Sequence, residues 1–141
     1  MPQAYCIGNG NLLANFDGHL QMRDIYYPHV GLENHSAFGK VHRVGVWVDD
    51  EFSWLYDDGW KFNVGYEKDT LVGDSTAVNK ALQVKLEFKD FVYTSHNILF
   101  RNITIHNLSD KTREIRLFFA PDLYLYGDKM RDTAQYEPDL K

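Results

Sequence analysis

The segment KALQVKLEFKD constrains the fold more than any other part of the chain, because apolar and polar side chains alternate strictly from Leu82 to Lys89. The apolar positions are Leu82, Val84, Leu86 and Phe88. A period of two residues directs successive side chains to opposite faces of an extended chain, as in a strand with one buried and one solvated face. We therefore expect a β-strand here, within an antiparallel sheet.

Turn residues between β-patterned arms predict three hairpins. Asp17 and Gly18 separate NLLANF from HLQMRDI, and Asp49 and Asp50 separate RVGVWV from EFSWLY. In the second of these, we expect Trp47 and Trp54 to pack as a cross-strand aromatic pair. The segment NLSDK, residues 107–111, separates ILFRNITIH from TREIRLFF, and we expect those two arms to pair with each other.

Helical periodicity is missing from the sequence, since no long window repeats apolar residues at i, i+3 and i+4. The segment WKFNVGYEKDTLVGDSTAVNK adds one or two strands, and an aromatic content of 15% also favours β-structure. A length of 141 residues fits a single domain. We predict an all-β fold over residues 1–141, an antiparallel β-sandwich of roughly eight to ten strands in two packed sheets.

Charge and hydropathy exclude several classes of partner. The net charge is −5, and Lys and Arg form no cluster, so we expect no binding to nucleic acid or to a membrane surface. The apolar runs are short and broken by charge, and MPQAYCIGNG lacks the basic and apolar regions of a signal peptide. These features predict a cytoplasmic protein.

The candidate binding residues lie mainly in the segment YYPHVGLENH, residues 26–35, which follows a strand pattern. Aromatic rings beside amide and carboxylate groups suit either sugar stacking or contact with another domain, and both alternatives remain open from the residues alone. The candidates are Tyr26, Tyr27, His29, Glu33, Asn34 and His35, together with Trp60 near the LYDDGW turn.

Metal and catalytic sites are not predicted. His29 and His35 are six residues apart in a loop, without an HExxH motif or a cysteine pair, so we expect neither a metal nor a cofactor. The adjacent carboxylates at 49–51 and at 57–58 fall at predicted turns. A glycosidase needs two carboxyl groups from separate elements, one of them in an apolar pocket. We therefore expect no catalytic residue, and no activity from this chain alone.

Five blocks of sequence nevertheless occur in a familiar order. They are IGNGNLLANFD, LQMRDIYYPHVGLENH, RVGVWVDDEFSWL, ITIHNLSDKTREIRLFF and DTAQYEPDL. In this order they resemble the N-terminal domain of prokaryotic and archaeal enzymes of glycoside hydrolase family 15, which includes glucoamylases, glucodextranases and some trehalases. The resemblance implies part of a super-β-sandwich that precedes an (α/α)6 barrel. In the family, that barrel carries two catalytic glutamates of an inverting mechanism, and it is absent from this chain.

The resemblance implies a non-catalytic β-domain that supports the fold and active-site rim of such a barrel. The expected partners are therefore the barrel, in cis or in trans, and an α-glucan or trehalose. The alternatives are a stand-alone carbohydrate-binding module or an oligomerisation domain. Because the chain resembles only the first part of the family's domain, we expect uncovered sheet edges and a homo-oligomer when the chain is isolated.

Overall fold

The computed structural model describes residues 3–31, 33–36, 39 and 41–125. The sequence block DTAQYEPDL lies outside the described residues. Within the described part the chain forms ten β-strands and no α-helix. Their bounds are β1 Gln3–Gly8, β2 Leu13–Asp17, β3 Met22–Tyr26, β4 Arg43–Val48, β5 Glu51–Trp54, β6 Trp60–Tyr66, β7 Gly73–Asn79, β8 Val84–Val92, β9 Leu99–Asn107 and β10 Ile115–Ala120.

The described strands pair antiparallel in three sheets, with the orders β1-β2-β3, β10-β4-β5 and β6-β7-β8-β9. A single bridge between Met22 and His42 joins the first sheet to the start of β4. The buried side chains of all three sheets belong to one core, and β1 lies against β6, β7 and β8. The all-β antiparallel prediction is confirmed. One layer of the sandwich is the four-stranded sheet, and the other is divided into two smaller sheets.

Strand β8 follows the predicted alternation along its whole length. Val84, Leu86 and Phe88 are completely buried, whereas Lys85 and Glu87 are only partly buried. Full burial of a large apolar side chain stabilises a fold by roughly 1.5–3 kcal/mol. The alternation therefore fixes which face of the four-stranded sheet closes the core.

Two of the three predicted hairpins are present. β2 pairs with β3 across the Asp17–Gly18 turn, and β4 pairs with β5 across Asp49 and Asp50, whose φ angles are 51° and 64°. Positive φ at both central residues is the geometry of a two-residue hairpin loop whose twist matches its strands. The predicted Trp47–Trp54 pair is wrong, because this loop sets Trp47 opposite Phe52 and Trp54 opposite Gly45.

The third predicted hairpin is wrong, since β9 pairs with β8 and β10 crosses to the other layer to pair with β4. Arg113 anchors the connection. Its guanidinium donates to Asn107 Oδ1 at 2.8 Å, to Asp49 Oδ2 at 2.9 Å, and to the carbonyl oxygens of Leu82 and Gln83 at 2.6 Å each. These bonds direct the chain between the layers, so turn-forming residues at 107–111 do not close a hairpin.

The two outer faces of the sandwich differ in chemistry. The outward side of the four-stranded sheet carries several ion pairs, and we call this surface the charged face. Its paired residues are Asp74, Lys85, Glu87, Lys89 and His106. Phe91 and Phe100 stack on the same side, at one end of β8 and β9. The outward residues of the β10-β4-β5 sheet and of the chain after β5 form what we call the aromatic face. Its rings are those of Trp47, Phe52, Trp54, Tyr56 and Phe118.

Candidate functional site

The loop of residues 26–35 connects the end of β3 to a short return segment. Tyr26 forms a bridge with Asn34, and the Tyr27–Pro28 peptide bond is cis. The tip, from Pro28 to Gly31, is exposed, and it carries His29. Glu33 and Asn34 are half-buried on the return segment. Six of the seven candidate residues are thus gathered in one loop.

The side-chain amide of Asn34 forms hydrogen bonds with residues next to it in the loop and on β3. Its Oδ1 accepts from the backbone N–H of Ile25 at 3.1 Å and of Ser36 at 3.0 Å, and its Nδ2 donates to Asp24 Oδ1 at 2.7 Å. An amide that bonds to nearby backbone in this way stabilises a turn. Asn34 therefore holds the return segment against β3.

His35 is also built into the fold. It is 5% exposed, and its Nε2 lies 2.8 Å from the carbonyl oxygen of Tyr27. Because a carbonyl oxygen only accepts, Nε2 carries the proton in this tautomer. The backbone N–H of His35 donates to Ile25, and its carbonyl accepts from Tyr124. These bonds fix the geometry of the cis turn.

A pocket of about 320 Å³ lies beside the loop, and Tyr27 and His35 contribute to its wall. The rest of its lining is mainly aliphatic, formed by Leu12, Ile25, Leu99, Leu123 and Leu125, with Asn97 at one side. A sugar ring buried among leucines would lose hydrogen bonds to water at a substantial free-energy cost. The chemistry of this pocket suits an apolar side chain better than a hydroxylated ring.

Trp60 lies apart from the loop. It is the first residue of β6, is 8% exposed, and donates from Nε1 to Ser53 Oγ on β5 at 2.9 Å. Its indole ring belongs to the core cluster and does not line the pocket beside the loop. The structure therefore does not bring Trp60 together with the other six candidates.

His42 lies behind the loop, at the junction of the two smaller sheets. Its Nε2 is 3.0 Å from Ser36 Oγ, and burial lowers its pKa below the usual value, with the Asp122 carboxylate partly opposing that effect. A buried imidazole of this kind is neutral near pH 7. In the described residues, no group of three or more His, Cys, Asp or Glu side chains could hold a metal ion.

Sequence reasoning missed a buried polar cluster between the layers. Tyr5 donates its hydroxyl proton to Asp90 Oδ2 at 2.5 Å, and Arg101 Nε lies 3.3 Å from Asp90 Oδ1, an ion-pair distance without hydrogen-bond geometry. The Arg101 guanidinium lies 4.9 Å from the ring centroids of both Phe16 and Phe88. Burial raises the pKa of Tyr5 far above its ordinary value. It also raises the pKa of Asp90, although Arg101 opposes that shift.

The position of Asp90 supplies the signal that could have revealed this cluster. Asp90 continues the buried phase of β8, after Val84, Leu86 and Phe88, so a carboxylate there must face the core. Arg101 is its direct partner on β9. Asp90 is completely buried, which denies it contact with any substrate in this conformation. The cluster therefore joins the two layers.

No helix among the described residues is long and apolar enough to cross a membrane.

Comparison with curated proteins gives a match to an uncharacterized glycosyl hydrolase of Methanocaldococcus jannaschii. The two are 30% identical over 133 residues, which cover 94% of this chain but 21% of the relative. The chain therefore spans about a fifth of the length of the curated relative that it matches. No family model matches the chain, and no solved structure gives a significant match. The similarity thus extends along nearly the whole β-fold.

Proposed function

We propose that this chain is the non-catalytic N-terminal β-domain of a glucoamylase-type enzyme of glycoside hydrolase family 15. It would support the fold and the active-site rim of an (α/α)6 catalytic barrel that hydrolyses α-glucans or trehalose. The observation that carries the proposal is the 30% identity to a glycosyl hydrolase over 94% of this chain. The five ordered sequence blocks favour family 15.

The buried carboxylates of the described chain agree with a non-catalytic role. They are Asp17 and Asp90. Asp17 accepts hydrogen bonds from the backbone of His19 and from the backbone and side chain of Gln21, while Asp90 bonds to Tyr5 inside the core. Inverting hydrolysis needs two carboxyl groups that face each other across a substrate, roughly 6.5–9.5 Å apart. Both of these groups instead stabilise the fold.

The exposed tip of the 26–35 loop is the part that we expect to contact the barrel. His29 and Val30 are exposed there, and Val30 is an apolar side chain with 45% of its surface exposed. Behind the tip, Asn34 and His35 hold the loop rigid through their own hydrogen bonds. A rigid loop with an exposed tip loses little conformational entropy on docking.

The coding region tests the proposal. We expect the reading frame, or a neighbouring gene, to continue into a barrel with two catalytic glutamates, and glucose release by that barrel to fall when this domain is deleted. This chain alone should release no glucose from maltooligosaccharides. A stop codon after Lys141 with no barrel gene nearby would contradict the proposal, and so would glucose release by the isolated chain.

We also propose that the isolated chain self-associates through its uncovered strand edges. In the described part, β9 and β10 are edge strands of their sheets, and the core-facing side chains of both are incompletely covered. Phe119 on β10 is 57% exposed, and Ile105 on β9 is 37% exposed. An uncovered strand edge with apolar side chains is a template for pairing with a second chain.

Light scattering after size-exclusion chromatography tests this second proposal. We expect a dimer or larger species at micromolar concentration, and a shift toward monomer in Phe119→Lys. Leu71→Lys is the matched control, because Leu71 is 69% exposed in the loop between β6 and β7 and should not affect association. A monomeric wild-type chain at that concentration would refute self-association.

A carbohydrate-binding module is the second candidate function. The observation that favours it is the exposed row of rings on the aromatic face, where Phe52, Tyr56 and Phe118 are 44%, 41% and 42% exposed. Large exposed apolar patches on a folded protein mark binding surfaces.

A further inference from the structure

The aromatic face is an ordered surface. The register of the sheet places Trp47 opposite Phe52, and Trp54 opposite Gly45. Phe52 meets Trp54 edge-on with ring centroids 4.8 Å apart, and it meets Phe118 edge-on at 5.6 Å. The planes of Trp54 and Tyr56 are within 9° of parallel at a centroid distance of 6.2 Å. The rings therefore hold one another in position along β5.

Gly45 shapes this surface from beneath. A Cβ atom at this position would lie 2.5 Å from Phe52 Cζ and 2.8 Å from Trp54 Cε3, which is far closer than carbon atoms approach each other. The absence of a side chain lets both rings lie over the backbone of β4. Gly45 therefore leaves free the space that the rings of Phe52 and Trp54 occupy.

Hydrogen-bond donors flank the rings at two places. The Arg43 guanidinium lies 5.6 Å from the Tyr56 ring centroid, and the Arg116 guanidinium lies 4.8 Å from the Trp47 ring. Arg116 also pairs with Glu114, with 2.6 Å between Nε and Oε1. This pairing reduces the net charge at that end, so the surface combines apolar rings with polar groups and offers little attraction to an anion.

We propose that the aromatic face binds a neutral α-glucan by stacking glucose rings on Trp54 and Tyr56. A pyranose ring has an apolar C–H face, which packs on an aromatic ring, and a rim of hydroxyl groups, which hydrogen-bond to flanking side chains. Arg43, Arg116 and Glu114 supply those side chains here. The choice of an α-glucan rests on the proposed function, but the site is separate from the 26–35 loop.

A neutral ligand fits this face better than an anionic one because the Glu114 carboxylate offsets the positive charge of Arg116. A second copy of the chain would also bury the rings. However, the incompletely covered core side chains of β9 and β10 give a second copy a different place to bind. The experiment below distinguishes these two occupants.

Isothermal titration with maltoheptaose, and with cellohexaose as the linkage control, tests the proposal on the full 141-residue chain. We expect a Kd for maltoheptaose of about 1 mM and weaker binding of cellohexaose. Trp54→Ala should weaken binding by roughly tenfold and Tyr56→Ala by roughly threefold, since each removes a stacking surface. Tyr56 follows the end of β5, so its variant remains informative if Trp54→Ala fails to fold.

Tyr93→Ala is the matched control. Tyr93 is 45% exposed, like Tyr56, but it follows β8 in the other layer, so its loss should leave binding unchanged. Tyr27→Ala tests the loop and should also leave binding unchanged. The thermal unfolding midpoint of each variant shows whether it is folded.

Four results would overturn the proposal. The first is maltoheptaose binding that persists in Trp54→Ala and Tyr56→Ala but is lost in Tyr27→Ala, which would move sugar contact to the loop. The second is equal affinity for both oligosaccharides. The third is a change of oligomeric state in Trp54→Ala without any effect on sugar binding, which would assign the face to a second copy. The fourth is the absence of any heat of binding at millimolar sugar. That result would not decide the proposed role beside a catalytic barrel, which the coding region tests separately.

Discussion

The two outer faces of this sandwich present different kinds of side chain to solvent. On the charged face, Lys89 lies between Asp74 at 3.0 Å and Glu67 at 3.3 Å, and these side chains meet water directly. On the aromatic face, the equivalent outward positions of β4, β5 and β10 carry Trp47, Phe52, Trp54 and Phe118. Antiparallel sheets commonly bury one face and solvate the other. The charged face follows that rule except at one end, where Phe91 and Phe100 stack with ring centroids 4.9 Å apart.

The difference shows that strand alternation does not explain the aromatic face. Alternation requires the inward residues to be apolar, but it leaves the outward residues free to be polar, as Lys85 and Glu87 are on β8. Exposed aromatic rings lower solubility and invite aggregation, and proteins rarely keep such a patch without a use for it. The aromatic face is therefore the surface whose function needs explanation.

The largest loss of stability should come from replacing Arg101, which pairs with Asp90 in the buried cluster between the two layers. In Arg101→Met, Asp90 loses its buried counter-charge, and the Leu20 carbonyl loses the donor that now lies 2.5 Å away. Removing one partner of a buried ion pair costs roughly 3–5 kcal/mol, so we expect the free energy of unfolding in urea to fall by about that amount. Adding Asp90→Asn should recover part of the loss. A decrease in the free energy of unfolding of less than about 1 kcal/mol would show that Arg101 does not join the layers.

Alanine substitutions of one glycine on each face compare how closely the outward side chains pack there. Gly45→Ala forces Phe52 and Trp54 to move, and overpacking of this kind typically costs about 1–3 kcal/mol. Gly65→Ala on β6 meets no atom within 4 Å, and it should be neutral or stabilise the chain by up to about 1 kcal/mol. Thermal unfolding measures both. Equal effects at the two positions would show that the rings do not depend on Gly45.

As the pH falls, the junction of the two smaller sheets, where His42 lies, should weaken at a higher pH than the charged face does. His42 has a pKa lowered from 6.5 by burial, so its contribution to stability is complete above pH 6.5. Below that pH the unfolded chain takes up a proton that the folded chain resists, and stability falls by at most about 1.4 kcal/mol per pH unit. Urea unfolding between pH 7 and pH 5 measures this slope. His42→Gln should flatten it, and an unchanged slope would assign the effect to another group.

The smallest change in stability should come from a substitution on the charged face. Hydrogen bonds from Lys85 and His106 lower the pKa of Glu87 from 4.5, so its contribution is complete above pH 4.5 and is lost as the pH falls further. Exposed ion pairs contribute little and are screened by salt. We expect Glu87→Gln to change the unfolding midpoint only slightly at low salt and not measurably at high salt. A large, salt-independent loss would show that this face supports the fold.

Local sequence signals predicted the strands and two of the turns, because each depends on neighbouring residues. The alternation from Leu82 to Phe88 and the Asp17–Gly18 and Asp49–Asp50 turns need no knowledge of the remaining chain. The partner of β10 is different, since alternation assigns a strand its faces but not its neighbour. The four hydrogen bonds of Arg113 decide that β10 joins β4, and they involve residues from four separate segments.

The candidate site was predictable only in part for a related reason. The sequence identifies residues 26–35 as a polar loop, but it does not indicate that Asn34 and His35 bond within that loop. Tyr56 and Trp60 both belong to the exposed-looking segment LYDDGW, yet the ring of Trp60 lies in the core. The aromatic face depends on register, because the two-residue turn at 49–50 decides that Phe52 and Trp54 share one side with Phe118.

The pairing of Ile115 with Val48 also implies an order of events during folding. Strands β6 to β9 form a meander in which each strand pairs with its neighbour in sequence, so they can associate early through local contacts. β10 must instead close the long loop back to β4, and loop closure of that length is entropically costly. During synthesis on the ribosome, the edge of β4 that β10 will pair with therefore stays unpaired until the last described strand has emerged. This interval is when we expect the nascent chain to need a chaperone.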